Sequence, residues 1–139
     1  MKNVLIQKLK TLPVPMADFI RHAGALADEQ GLRVYLVGGF VRDFLLGAGH
    51  FDVDLVVEGD GIRFAQECAR RFSFKVVTHG RFGTATIHGS EGFKADIASA
   101  RKETYEKPAA LPSVSRGDIK DDLFRRDFTI NAMAIGINR

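Results

Sequence analysis

The 139-residue sequence has one cysteine and no tryptophan, and it lacks any long apolar run. A single cysteine, Cys68, excludes a disulfide within the chain and suits a reducing compartment. No stretch approaches the roughly eighteen apolar residues that a membrane-spanning helix needs, and the opening residues MKNVLIQKLK do not resemble a signal peptide. We therefore expect a cytoplasmic protein with no membrane partner.

The remaining composition is that of an ordinary globular protein of one domain. Hydrophobic residues make up 45% of the chain and charged residues 27%, so a packed core is expected. The net charge of +3 permits a polyanionic partner without requiring one. Cys68 fits the apolar periodicity of its segment and is expected in the core. Five basic residues are scattered along the chain and are expected on a solvated face: Lys8, Lys10, Arg70, Arg71 and Lys75.

The order of periodic segments predicts an α/β (α+β) fold with one mixed sheet of about five strands covered by helices. Helices are expected in PMADFIRHAGALADEQG, FVRDFLLG and GDGIRFAQECARRF. Strands are expected in LRVYLV, FDVDLVV, FKVVT, GTATIHG and GFKADIAS. Residues 101–120 contain two prolines and show no period, which predicts a mobile loop. The last twenty residues predict a helical turn followed by a final apolar segment.

Two aspartates occupy alternate positions in FDVDLVV. On a strand, Asp52 and Asp54 would point the same way, roughly 6.6–7 Å apart, with Phe51, Val53 and Leu55 facing the core. Such a pair can hold hard divalent cations, and this suits attack of a hydroxyl on phosphorus. An isolated D-x-D is also common on half-exposed strands, so the pair alone does not assign a function.

A glycine pair interrupts the chain between the strand LRVYLV and the next helix. Gly38 and Gly39 would let backbone N–H groups approach phosphate oxygens at a helix N-terminus. Arg42, one helical turn later, could reach the same phosphates or clamp a carboxylate. Asp43 could orient Arg42 or cap a local turn. A tight turn is the ordinary explanation of a glycine pair. The glycine turn followed within some twenty residues by the acidic pair is harder to explain as scaffold alone.

These residues resemble the head domain of the class II tRNA nucleotidyltransferases and bacterial poly(A) polymerases, which add CCA, CC or A. The stretch LVGGFVRDFLLG followed by FDVDLVV is similar to the first motif of the family, and RRDFTINAMA, residues 125–134, to the second. The resemblance covers residues 32–137. It implies the nucleotidyltransferase fold of the polymerase beta superfamily.

The resemblance also implies roles for individual residues. Asp52 and Asp54 would be Mg²⁺ ligands, and Asp96 a third catalytic carboxylate near the 3′ hydroxyl of the primer, although a strand-end turn residue is an equally good explanation of Asp96. The resemblance implies that the residues in contact with the incoming nucleotide are Gly38, Gly39, Arg42, Arg126, Asp127 and Asn131. Arg101 and the residues after it resemble a flexible loop of the family. His79 and His88 fit no compact metal-ligand pattern and are expected at the surface.

The implied activity is Mg²⁺-dependent transfer of a nucleotide from ATP or CTP to the 3′ end of tRNA or another RNA. Residues 1–31 are expected to form a lead-in and helix, and residues 32–139 the head. The neck, body and tail of the family have no counterpart in this sequence, so a piece of a longer chain is expected. Two alternatives remain open: a minimal nucleotidyltransferase that modifies a protein or small molecule, and a nucleotide-binding module inactive without further domains.

Overall fold

The computed structural model describes residues 7, 9–46, 52–89, 92–126 and 132–138. The helices are α1 (Val14–Gln30), α2 (Gly39–Leu46), α3 (Gly61–Phe72) and α4 (Ile119–Phe124). The strands are β1 (Arg33–Val37), β2 (Val53–Glu58), β3 (Lys75–His79), β4 (Thr84–His88), β5 (Lys94–Ser99), β6 (Arg101–Thr104), β7 (Ser113–Arg116) and β8 (Ala134–Gly136). A short 3₁₀ turn at Gly80–Phe82 joins β3 to β4. None of the helices in these ranges is long and apolar enough to span a membrane.

The main sheet has six strands in the order β3-β4-β5-β2-β1-β8. Strands β2 and β5 run parallel, and the other neighbouring pairs are antiparallel. The predicted mixed α/β fold is therefore confirmed. The sheet has one strand more than predicted, because the final apolar segment supplies β8, which pairs with β1.

One face of the sheet is covered by helices and holds the main core. In β2, Val53, Leu55 and Val57 point to this face and pack with buried residues of α1 and α3. Five apolar residues of α1 at helical spacing are buried against the sheet: Phe19, Ile20, Ala23, Leu26 and Ala27. Cys68 is also buried, as predicted, and burial raises the pKa of its thiol to about 12. Helix α1 thus shares one core with the sheet, while the domain boundary after residue 31 stays a prediction.

The opposite face is covered only in part. A small cluster of Val37, Val56 and Ala100 packs there against Ile119 at the start of α4. On β5 and β4 the same face carries Lys94, Asp96, Thr86 and His88, which alternate with buried residues of the core. Polar side chains at these positions leave room for a site on this face.

The segment predicted as a mobile loop contains a second sheet instead. Strands β6 and β7 pair as an antiparallel hairpin, with Arg101 opposite Arg116 and Thr104 opposite Ser113. The loop prediction for residues 101–120 was therefore wrong. Most side chains of the hairpin are exposed, so neither strand shows the alternation of apolar residues that reveals a strand in sequence.

The first turn of α3 packs directly on the backbone of β5, and this contact requires a glycine. A Cβ at Gly61 would lie 2.7 Å from the carbonyl carbon of Ala98 and 2.7 Å from the nitrogen of Ser99. The Gly61 N–H also donates to Ser99 Oγ at 2.8 Å. We expect Gly61→Ala to lower the free energy of unfolding by about 1–3 kcal/mol, because helix or strand must shift.

Urea denaturation of the purified protein would measure this loss. Gly80→Ala is the matched control, because a Cβ at Gly80 would meet nothing within 4 Å. Equal stability of the two variants would contradict the packing explanation.

Candidate active site

Strand β2 presents Asp54 on the less covered face of the sheet, and Asp52 directly precedes the strand. Val53 and Leu55 are buried in the core, and the alternation of the strand turns Asp54 to the other side. Asp52 is exposed, whereas Asp54 is partly buried. The two carboxylates therefore differ in environment, and Asp52 is close enough to raise the pKa of Asp54. That both point to one face stays a prediction.

Strand β5 brings Asp96 directly beside Asp54. The two strands are parallel and in register, with Asp54 opposite Asp96. Thr86 of β4 is opposite Asp96 on the other side, and its Oγ1 donates to Asp96 Oδ1 at 2.7 Å. This hydrogen bond fixes one oxygen of Asp96 and leaves the other available. The predicted third carboxylate thus lies next to the acidic pair.

The proximity of these carboxylates changes the titration of Asp54. The pKa of Asp54 is raised from 3.8 to about 6, mainly by burial and also by the negative charges of Asp96 and Asp52. Arg126 and Lys94 oppose the shift. A carboxylate that is this hard to ionise gains most from a cation at the site.

The glycine turn lies against the same carboxylate. Gly38 has a positive φ of 68°, which favours glycine, and a Cβ there would lie 3.9 Å from Asp54 Oδ2 and 3.7 Å from Arg126 Nη1. The turn before α2 is therefore in close contact with both the acidic site and a guanidinium. These three residues, separated by up to 88 positions in sequence, meet at one point on the sheet.

Arg42 lies at the same end of α2. Its Nη2 would be 3.3 Å from a Cβ at Gly39, and its Nε donates to Asp43 Oδ1 at 3.0 Å. Asp43 thus orients Arg42, as one of the sequence hypotheses supposed. The guanidinium lies over the glycine turn, where it can contribute positive charge.

Asp122 is a functional candidate that the sequence did not reveal. It is fully buried, and its carboxylate accepts from Arg126 Nη2 at 3.0 Å, from the Arg101 backbone N–H at 3.0 Å and from Arg125 Nη2 at 3.4 Å. Asp122 therefore holds Arg126 in place beside Gly38. The only sequence signal was its spacing of three and four residues before the two arginines, which suits contacts along one helical turn.

The predicted residues Asp127 and Asn131 lie outside the described residues, and so does Phe51. Within the described ranges, no group of three or more His, Cys, Asp or Glu side chains is arranged to hold a metal ion. His79 and His88 are exposed, as expected. The assignment of Asp52 and Asp54 as metal ligands stays a prediction.

The chain is similar to known proteins over most of its length. Residues 34–139 match the model of the poly(A) polymerase head domain. An A-adding tRNA nucleotidyltransferase of Geobacter sulfurreducens is 53% identical over 91% of this chain and 14% of its own length. A solved CCA-adding enzyme in an apo form superposes with a TM-score of 0.87 at 44% identity, covering 96% of this chain and 32% of the other.

A tRNA nucleotidyltransferase solved with a primer tRNA and an incoming ATP analogue has a TM-score of 0.69 at 46% identity, covering 84% of this chain and 31% of the other. Other relatives are named CC-adding and CCA-adding enzymes. This chain spans less than a third of the length of its curated A-adding relatives: it covers 14% of the Geobacter sulfurreducens enzyme and 30% of that of Halalkalibacterium halodurans. With residues 34–139 matched by the family model, the chain belongs to the poly(A) polymerase head domain family.

Proposed function

We propose that this chain is the catalytic head of an enzyme that transfers a nucleotide from ATP or CTP to the 3′ hydroxyl of tRNA, with release of pyrophosphate. The observation that carries the proposal is the pairing of Asp54 with Asp96 beside Gly38 and Arg126. The arrangement puts acidic groups for a cation next to a glycine turn and a guanidinium suited to phosphate. The names of the relatives, which are A-adding, CC-adding and CCA-adding enzymes, support tRNA as the acceptor.

Mg²⁺ is the proposed cofactor, and Asp52 and Asp54 are its proposed ligands. Mg²⁺ is usually bound by one or two carboxylates together with substrate phosphates, rather than by a cage of protein side chains. A site with two neighbouring aspartates fits this coordination preference. The raised pKa of Asp54 shows that its ionised form is unfavourable there, and a bound cation would stabilise that form. Bound there, Mg²⁺ would make the attacking hydroxyl easier to ionise and neutralise charge on the leaving phosphates.

The nucleotide is proposed to bind at the glycine turn. Backbone N–H groups around Gly38 and Gly39 would donate hydrogen bonds to phosphate oxygens. The guanidinium groups of Arg42 and Arg126 would add positive charge on either side. The predicted contacts of Asp127 and Asn131 with the ribose and triphosphate belong to the same proposal. A nucleotide held in this way would present its α-phosphate to the carboxylates of β2.

Asp96 is proposed to receive the 3′ hydroxyl of the acceptor. Thr86 occupies Oδ1 of Asp96, so Oδ2 can accept a hydrogen bond from the attacking hydroxyl. The new bond joins the 3′ oxygen to the α-phosphorus, and the bond between that phosphorus and the pyrophosphate oxygen breaks. The hydroxyl proton would leave toward the Asp96 carboxylate.

Replacing Asp52 tests the assignment with little risk to the fold, because this side chain is exposed. In the full-length protein we expect Asp52→Asn to reduce incorporation of labelled ATP or CTP into tRNA lacking its 3′ end by about a hundredfold or more. The loss should persist at saturating nucleotide, since a ligand of the catalytic cation acts on kcat. Wild-type rates in the variant would refute the proposed role of Asp52.

The same assay separates the alternatives. Modification of a protein or small molecule would appear as transfer to an acceptor other than RNA, and the comparisons support only the RNA-modifying function. A nucleotide-binding module would bind nucleotide with Mg²⁺ in calorimetry and give no transfer. We also propose that the protein is cytoplasmic and that the head domain begins at residue 32.

A further inference from the structure

Three exposed basic side chains form a row across the less covered face of the sheet. Lys94 of β5 is opposite His88 of β4, and His88 is opposite Lys75 of β3. Lys94 is two residues from Asp96 on β5, His88 is two residues from Thr86 on β4, and Lys75 is two residues from Val77 on β3. Since Asp96, Thr86 and Val77 are themselves opposite one another, all three basic residues point to the same face as Asp96. We call Lys75, His88 and Lys94 the basic row.

The basic row starts at the acidic site and ends at the edge of the sheet. Lys94 is about 7 Å from Asp96 along β5, and neighbouring strands are about 4.8 Å apart, so the row spans roughly 10 Å. Its position is on the β5 side of Asp54, whereas Gly38 and Arg126 lie on the β1 side. A nucleotide held at the glycine turn would leave the basic row open to a second substrate.

The polar side-chain groups of the basic row are not used within the described part of the chain. Lys75, His88 and Lys94 make no ion pair or side-chain hydrogen bond there, whereas Arg70 and Arg71 are both paired with glutamates. All three residues are exposed. Lys94 is also close enough to act on the pKa of Asp54, which it lowers. The row is therefore a solvated positive surface connected to the acidic site.

We infer that the basic row binds the phosphate backbone of the RNA strand whose 3′ end is extended. This partner rests on the proposed function. The chemistry fits, because Lys75 and Lys94 offer ammonium groups and the His88 imidazole can donate a hydrogen bond in either charge state. A row of roughly 10 Å is long enough to contact more than one phosphate of the strand. The strand would cross β3 and β4 and deliver its 3′ hydroxyl to Asp96.

The test uses the double variant Lys75→Gln/His88→Gln in the full-length protein, with Lys94 kept because of its effect on Asp54. We expect its KM for tRNA lacking the 3′ end to rise about five- to tenfold, while the KM for ATP or CTP and the kcat stay as in the wild type. Binding of the same fluorescently labelled tRNA should weaken equally, and its dependence on log salt should be shallower by at least about 0.7. Arg63→Gln is the control, since Arg63 is exposed on α3, across the sheet.

The two measurements separate this inference from the proposed function. A double variant that binds tRNA with wild-type affinity and salt dependence overturns the inference, even if the enzyme transfers nucleotides. Absence of transfer by the wild type refutes the proposed function, whereas weaker tRNA binding by the double variant still supports the basic row. An equal loss of tRNA binding in Arg63→Gln would overturn the inference, because the loss would follow net charge rather than this surface.

Discussion

Replacing Asp54 by asparagine is expected to abolish nucleotide transfer and, at neutral pH, to make the fold more stable. Asp54 is a proposed ligand of the catalytic cation, so we expect the rate in the full-length protein to fall by about a thousandfold or more. Stability should change in the opposite direction, because Asp54 is partly buried beside two further aspartates and is difficult to ionise. Activity and stability therefore depend on the same carboxylate with opposite sign.

The pH dependence of this effect follows from the direction of the shift. The pKa of Asp54 is raised from 3.8 to about 6, so between these values the folded protein binds the proton more tightly than the unfolded chain. The free energy of unfolding then falls as pH rises through this window, and the full penalty is present above it. With allowance for partial exposure, Asp54→Asn should gain about 1–3 kcal/mol at pH 7.5 and progressively less toward pH 4.

Urea denaturation of wild type and variant at the two pH values would measure the gain. Asp52→Asn is the matched control, since its side chain is exposed and its removal should stabilise the fold much less. Mg²⁺ should stabilise the wild type more than Asp54→Asn, because a ligand stabilises the state that binds it. A variant that is less stable at pH 7.5, or a gain independent of pH, would contradict the electrostatic explanation.

Replacing Asp122 by alanine is expected to cause the largest loss of stability. The Asp122 side chain is 0% exposed, and those of Arg125 and Arg126 are only 20% and 21% exposed. Burial lowers the pKa of Arg125, and the nearby charges of Arg101 and Arg126 lower it further, with Asp122 opposing them. Without Asp122 these cations would be left without their buried counter-charge, which costs about 3–5 kcal/mol.

The same substitution should weaken nucleotide binding. Asp122 holds the guanidinium of Arg126 beside Gly38, and it also accepts from the backbone at the start of β6. Once released, Arg126 would lose its fixed position at the proposed triphosphate site. We expect the KM for the nucleotide to rise more than kcat falls, measured under conditions where the variant is still folded.

Asp121→Ala is the control for this prediction. Asp121 belongs to the same short helix, but its carboxylate only completes the capping box with Asp118. Loss of a cap typically costs about 0.5–2 kcal/mol, and the KM for the nucleotide should not change. If Asp122→Ala were no more destabilising than Asp121→Ala, the buried charge would not have the role assigned to it.

Local patterns in the sequence predicted much of the fold. The apolar periodicity of α1 and α3 and the strands up to β5 were recognised because each buries one face against the core. The hairpin of β6 and β7 was missed because its side chains are mostly exposed and carry no such pattern. The sixth strand was recognised only as an apolar segment, since β8 has three residues and becomes a strand by pairing with β1.

The sequence by itself determined the family, the direction of Asp54 and the glycine turn before α2, because these depend on neighbouring residues and the period of a strand. The tertiary structure alone decided that Asp96 is paired with Asp54, that Arg126 reaches Gly38 and that Asp122 is buried among arginines. It also aligned Lys75, His88 and Lys94 in one row. Register between strands and contact between distant segments are set by packing of the whole sheet, which no local pattern contains.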